Sequence, residues 1–305
     1  MSQRVTRVSV AEFVVSGEDA GPYGITAGPD GALWFTLVHA GRIGRLTPGG
    51  ESTSYPLDPA SGGPSLITPG PEGDTLWFTE FRGHRIGRIT TAGVVDSFAL
   101  PTPEAGPFGI AAGRDGALWF TEAGAGRIGR ITPDGDVTEF PLPLTGAFPS
   151  AVTAGPEGDD RLWFTMNQAN AIGAIGPAGD VTVHPLPTPG AAPVGITAGG
   201  DGALWFVEIG AGQIGRITPD GKIDEFPLPD RAARPHAITA ADTADAACWF
   251  TEWGANRVGR ITPDGRIEEY DLPSPSSEPH GITTGPDGSL WTALETGKIA
   301  RLTVL

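Results

Sequence analysis

Seven tryptophans, Trp34, Trp77, Trp119, Trp163, Trp205, Trp249 and Trp291, follow one another at intervals of 43, 42, 44, 42, 44 and 42 residues. Each lies in a copy of one phrase, close to G-I-T-A-G-P-D-G-A-L-W-F-T-E, then R-I-G-R-I-T-P-D-G and E-F-P-L-P. A period of about 40 to 50 residues built from strand-like runs and tight turns is the mark of a propeller, in which each repeat is a small sheet that buries its faces only against its neighbours. The repeat also supplies an internal control. Residues common to all copies belong to the scaffold, and function belongs where one copy departs from the rest.

The third copy shows how a repeat should fold. Residues 107–112 read as a strand, 113–116 as a turn, 117–122 as the returning strand, 127–132 as a third strand and 137–140 as an outer one. Asp-Gly and Pro-Asp-Gly between apolar runs are hairpin signals, because glycine accepts the positive φ these turns require. The expected fold is all-β: a seven-bladed propeller of four-stranded antiparallel blades, forming one domain over residues 1–305 with 1–9 as a flexible extension. Residues 298–303 provide only a third strand, while Ala11-Glu12-Phe13-Val14 resembles the outer strand of other copies. The N-terminal strand is therefore expected to complete the last blade.

Composition narrows the function classes. The 46 glycines and 30 prolines would read as disorder if aperiodic, yet they fall at fixed places in each repeat. A net charge of −16 argues against nucleic acid or an anionic membrane as partner. No apolar run is long enough to span a bilayer, and residues 1–10 lack the apolar core of a signal peptide. The single cysteine, Cys248, excludes an internal disulfide and a multi-thiolate metal site, and it stands where most copies have a core leucine. These features predict a soluble cytoplasmic protein.

Several motifs carry no weight. Gly124–Gly129 and Gly210–Gly215 match G-x-G-x-x-G, but neither joins a strand to a helix, as dinucleotide binding requires. Neither G-x-S-x-G nor H-E-x-x-H occurs. Glu80, Glu122, Glu208 and Glu252 recur three residues after the tryptophan in four copies, which points to a structural role. His39, His84 and His184 are scattered over loop and outer-strand positions and read as solvated side chains.

One row of the internal alignment breaks the symmetry. The residue after the proline that opens each inner strand is Tyr23, Ser65, Phe108, Ser150, Val194, His236 or His280. Inner strands of a propeller surround the central channel, so these residues should ring one mouth. The row before the proline is Gly21, Gly63, Gly106, Phe148, Ala192, Arg234 and Glu278. Imidazoles and charges thus concentrate in copies six and seven. Glu295 is a second departure, four residues after its tryptophan. If Thr284 pairs with Ser289 across the turn, constant register pairs Gly281 with Thr292 and Glu278 with Glu295. Facing residues have Cβ atoms about 4.5 to 5.5 Å apart, and two carboxylates that close need a proton or a bridging cation. Oxygen-only ligands suit Mg²⁺, which keeps several waters. The alternative is a slip in register that leaves Glu295 facing solvent.

From about Val10 to Leu302 the chain resembles the virginiamycin B lyase (streptogramin B lyase) family. The resemblance is carried by Gly21-Pro22-Tyr23-Gly24-Ile25-Thr26, Ala233-Arg234-Pro235-His236-Ala237-Ile238-Thr239-Ala240, Trp249-Phe250-Thr251-Glu252-Trp253-Gly254-Ala255-Asn256 and Glu278-Pro279-His280-Gly281-Ile282. It implies a monomeric, Mg²⁺-dependent lyase that linearises type B streptogramins, which are cyclic depsipeptides, by elimination at the ester bond. On the matching positions His280 would be the general base, Glu278 and Glu295 the magnesium ligands, and His236 a substrate contact. Tyr23, Phe108 and Val194 would add apolar wall for the substrate. Relative to the family pattern one residue is inserted between Glu278 and Glu295, within residues 285–289, and Thr292 replaces the usual phenylalanine. A hydrolytic metal-dependent lactonase and a non-catalytic ligand-binding propeller remain open as alternatives.

Overall fold

The computed structural model describes residues 6–305. Seven four-stranded antiparallel sheets, one per repeat, form the blades of a β-propeller. In blade three the strands are Pro107–Ala112, Leu118–Glu122, Arg127–Ile131 and Val137–Pro141, in that order from the centre outward. The last blade is completed from the other end of the chain. Val8–Val14 pairs along its whole length with Lys298–Val304, from Val8 opposite Val304 to Val14 opposite Lys298. This strand begins three residues before the expected Ala11, so the boundary expected at residue 9 falls inside it. Residues 1–5 of the expected flexible extension lie outside the described residues. Among the described residues no helix is long and apolar enough to cross a membrane.

The repeated phrase accounts for the blade core. All seven tryptophans are buried, and each ring stacks on a ring from its blade's outer strand, as Trp119 does on Phe140 at 5.6 Å. His184 fills this slot against Trp163, so it is a packed core-edge residue rather than a solvated one. Trp291 stacks on Phe13, which makes the N-terminal strand part of the same pattern. The acid of each hairpin turn holds its tryptophan from below: Asp115 accepts a hydrogen bond from Trp119 Nε1 at 3.2 Å and an ion pair from Arg130 at 2.7 Å. Blade six departs from this, because its acid, Asp245, pairs with Arg260 and leaves the buried Trp249 Nε1 without a partner. Cys248 is a buried, free core residue, as expected.

Phenylalanine and glycine form a second matched pair. Phe120 faces Gly129 across the ladder, and a Cβ on Gly129 would lie 2.1 Å from the ring. Only glycine tolerates that approach. In blade seven the phenylalanine is Thr292, and the residue opposite is Ala300. Losing the ring and gaining a methyl occur together, and both residues are fully buried.

A register shift of one residue breaks the inner strand pair of every blade just after its proline. Five blades are also stitched to the next through the threonine two residues after the tryptophan, a position held by Val207 in blade five and Ala293 in blade seven. Thr121 Oγ1 accepts from Gly109 N in its own blade at 2.8 Å and donates to Ser150 O in the next at 2.6 Å. In blade six the same stitch, Thr251 Oγ1 to His280 O at 2.8 Å, fixes the backbone of the last inner strand.

Candidate functional site

The rim of the channel mouth is set by an unusual backbone. All seven residues that precede the inner-strand prolines have positive φ: Gly21, Gly63 and Gly106 at 57–64°, and Phe148, Ala192, Arg234 and Glu278 at 48–52°. The left-handed conformation costs a non-glycine residue about 1–2 kcal/mol. Blades four to seven therefore hold side chains on the rim against a backbone preference, a pattern found where a site needs them.

Inside the rim, the row after the prolines does converge. Tyr23 Oη and His236 Nε2 are hydrogen-bonded at 3.2 Å. The Tyr23 ring lies 4.6 Å from that of His280, and the two imidazoles are 5.0 Å apart. Part of the His236 ring still faces the channel, yet protein surrounds it closely. Burial, reinforced by the neighbouring His280, holds its pKa well below the usual imidazole range, so it stays neutral. Burial first, and the charge of Glu295 second, push the Tyr23 hydroxyl upward, which keeps it protonated.

The register that brings the two acids together differs from the one expected. Thr284 pairs with Leu290 and Ile282 with Thr292, one residue away from the Ser289 and Gly281 pairings inferred from sequence. The shift beyond Pro279 then cancels this offset: Pro279 faces Leu294, and Glu295 N donates to Glu278 O at 3.3 Å. The turn itself, with Gly285 N bonded to Ser289 O and Gly288 N to Gly285 O, repeats that of blade three. The hairpin from Pro279 to Leu294 is as long as that from Pro107 to Glu122 in blade three, so residues 285–289 form the ordinary turn of the repeat.

The two facing acids direct their carboxylates apart. Glu278 Oε2 accepts from Trp253 Nε1 at 3.3 Å, and with Arg234 it borders a cleft of about 370 Å³ between blades six and seven. Glu295 turns the other way and is bracketed by two imidazoles, with His280 Nε2 at 2.8 Å from Oε2 and His39 Nε2 at 2.7 Å from Oε1. The hydrogen bond to His280, followed by that to His39, holds its carboxyl below the usual range. His39 belongs to the loop between the second and third strands of blade one. Sequence reasoning placed it in solvent, and the structure places it on Glu295. A signal existed: His39 stands five residues after its tryptophan, next to the row that supplies Glu295, where other copies have Arg82, Gly124, Gln168, Gly210, Gly254 and Thr296. His84 likewise has a partner, accepting from Gly106 N through Nδ1 at 3.2 Å.

His280 and Glu295 line one end of a cavity of about 450 Å³ whose opposite wall is apolar, with Phe81, Phe108 and Phe148 from blades two to four. Tyr23 also lines it; His236 lies behind Tyr23. Val194, expected in the wall, packs instead against the core shared by blades five and six.

Among the described residues, no group of three or more His, Cys, Asp or Glu is arranged to hold an ion. What the rim provides is two carboxylates from facing positions. Oxygen donors of this kind suit a hard cation such as Mg²⁺, but their carboxylates point into different clefts, so a side chain would have to turn before both could reach one ion. The four recurrent glutamates are elsewhere, buried at the second-strand ends, where Glu80 and Glu252 pair with Arg85 and Arg257.

A family model described as the Virginiamycin B lyase family matches residues 8–302. A virginiamycin B lyase of Saccharopolyspora erythraea is 62% identical over 55 residues, 18% of each chain. One of Streptomyces coelicolor is 61% identical over 50 residues, 16% of this chain and 17% of that one. The matched stretches thus span less than a fifth of these curated relatives. Solved structures match end to end. Selenomethionine-substituted virginiamycin B lyase from Staphylococcus aureus superimposes with a TM-score of 0.93 at 46% identity, covering 98% of this chain and 100% of that one. A catalytically inactive variant of that lyase, with one histidine replaced by alanine and crystallised with quinupristin, gives the same TM-score at 45% identity.

Proposed function

The chain belongs to the virginiamycin B lyase family, and from that premise we propose that it linearises type B streptogramins by elimination at their ester bond, thereby conferring resistance. The observation that carries this reading is His280, an imidazole at the end of a largely apolar cavity with Glu295 on its Nε2 at 2.8 Å. Imidazole exchanges protons near neutral pH, and a positioned general base contributes roughly 10²- to 10⁴-fold. We assign His280 the Cα proton of the residue whose β-oxygen forms the ester, a proton α to that residue's own amide carbonyl and adjacent to the C–O bond that breaks. The electron pair of that C–H bond becomes the Cα=Cβ double bond, the Cβ–O bond breaks, and the former ring carboxylate departs, free to recover the proton.

No nucleophile is needed, and the cavity's Ser65 hydroxyl is directed at Gly63 O of its own blade. Glu278 and Glu295 would hold Mg²⁺, which would act as a Lewis acid on the ester carbonyl and make the departing carboxylate a better leaving group. Protonated Tyr23 would orient the substrate by hydrogen bonding, with neutral His236 behind it holding the Tyr23 hydroxyl at 3.2 Å rather than making the substrate contact expected from sequence, and the aromatic wall would receive the substrate's apolar side chains. A volume of about 450 Å³ lies within the usual range of small-molecule sites. The quinupristin-bound relative supports the same substrate class. We take the protein to act as a cytoplasmic monomer; the monomer part of this reading is supported by closure of the ring within one chain, through the pairing of Val8–Val14 with Lys298–Val304.

Turnover of a type B streptogramin should require added Mg²⁺ after chelation. His280→Ala should lower kcat by about 10²- to 10⁴-fold while leaving substrate binding within a few-fold. Activity that survives this replacement would remove His280 from the role of base.

A further inference from the structure

His280 can serve as base only through a nitrogen that is free to accept a proton. Its Nδ1 is buried and unpartnered, while Nε2 meets Glu295 at the cavity. The contact between Nε2 and Glu295 must therefore be given up when substrate arrives. A carboxylate anchored only by His280 would then be loose at the moment it is required to stay in place. Glu295 has a second anchor on its other oxygen, His39 Nε2 at 2.7 Å.

That second anchor is built into the seam between blades one and seven. The His39 ring packs over Gly21, where a Cβ would come within 2.5 Å of Cδ2. Glycine on the rim of blade one leaves the room that the ring occupies. Backbone bonds hold the loop, with His39 N donating to Ala20 O at 3.2 Å and Val38 N to Gly21 O at 2.9 Å. The His39 side chain is 52% exposed, so the pair contributes little to stability. Its value lies in orientation.

We infer that His39 is a positioning residue, whose Nε2–H holds Glu295 from the blade-one side so that His280 Nε2 can be released to the substrate while the carboxylate keeps its place. This rests on the proposed roles of His280 and Glu295. Loss of a group that orients a metal ligand commonly costs 10- to 100-fold in metal affinity or activity.

The test compares the full chain with His39→Ala and His39→Gln. The first readout is the ¹⁵N-histidine spectrum of the His280 ring at fixed pH without metal or substrate. The second is Mg²⁺ affinity by titration calorimetry, and the third is kcat and KM on a type B streptogramin. For His39→Ala the His280 signals should shift, Mg²⁺ affinity should fall about 10- to 100-fold, and kcat should fall with KM changed less than about twofold. Glutamine, which keeps an N–H donor, should restore the signals and most of the affinity. Unchanged His280 signals in His39→Ala overturn the inference whatever the enzyme does. If the parent protein neither binds Mg²⁺ nor turns over the antibiotic, the functional reading fails, and the spectra still decide whether His39 fixes Glu295 against His280.

Discussion

Ala192→Gly isolates the energetic cost of the rim backbone. Ala192 holds φ 51° at the position where blades one to three use glycine. Relieving an alanine of the left-handed conformation returns about 1–2 kcal/mol. Glycine gives back about 0.4–1 kcal/mol through the greater freedom of the unfolded chain. The Ala192 methyl lies beside the loop at Gly210, 3.2 Å from where a Cβ on that glycine would lie. The net expectation is a gain of about 0.5–1 kcal/mol, read as a higher midpoint in equilibrium urea unfolding with an unchanged slope. Glu278→Gly relieves the same strain and loses one exposed, 3.3 Å hydrogen bond from Trp253. It should be at least as stable as the parent while losing Mg²⁺ binding and turnover, the trade expected where strain is retained for function. If Ala192→Gly instead lowers stability by more than about 0.5 kcal/mol, outside the range these opposing terms allow, the rim is not strained in the way argued.

Three further changes probe the scaffold. Asp115→Ala leaves the buried Trp119 indole N–H and Arg130 without their acceptor and should cost about 1–3 kcal/mol with activity intact; no loss in urea unfolding would refute the clamp. Thr292→Phe should destabilise by about 1–3 kcal/mol because its ring meets the Ala300 methyl, and adding Ala300→Gly should recover most of this; additive losses would contradict the matched-pair account. Burial, then the nearby Glu139 charge, pushes buried Glu122 up to about 8, with both its oxygens unpartnered. Unfolded glutamate ionises near about 4.3, so between that value and about 8 the unfolded state releases a proton that the folded state keeps, and stability falls as pH rises. Glu122→Gln lacks this loss, so its advantage over the parent should grow from pH 5 to pH 8 and then level off; a difference independent of pH would refute it.

The fold was legible because the repeat is an alignment in itself: the core tryptophans recur in every copy and the hairpin-turn glycine in all but the sixth, where Ala246 takes its place at φ 51°. The closure of the ring was legible from the outer-strand pattern at Ala11–Val14, although the pairing extends back to Val8. The rim rows likewise identified Tyr23, His236 and His280 as neighbours. Register was harder. A hairpin turn fixes pairing only as far as the next irregularity, and the shift after Pro279 carries no signal in a row where every blade has a similar proline. Side-chain direction was illegible: that Glu278 turns to Trp253 while Glu295 turns to His280 depends on which partners the neighbouring blades present. His39 was missed for a related reason. It resembles a solvated loop histidine until the curvature of the ring brings blade one against blade seven.

The mass of the reaction product tests the central claim most directly. Incubation of the purified protein and Mg²⁺ with a type B streptogramin, followed by mass spectrometry, should give a linear, unsaturated product of the same mass as the cyclic antibiotic, because elimination rearranges atoms without adding any. A product heavier by one water would mean that the site activates water as a hydrolytic lactonase does, and recovery of the intact antibiotic would leave the fold as a binding platform only.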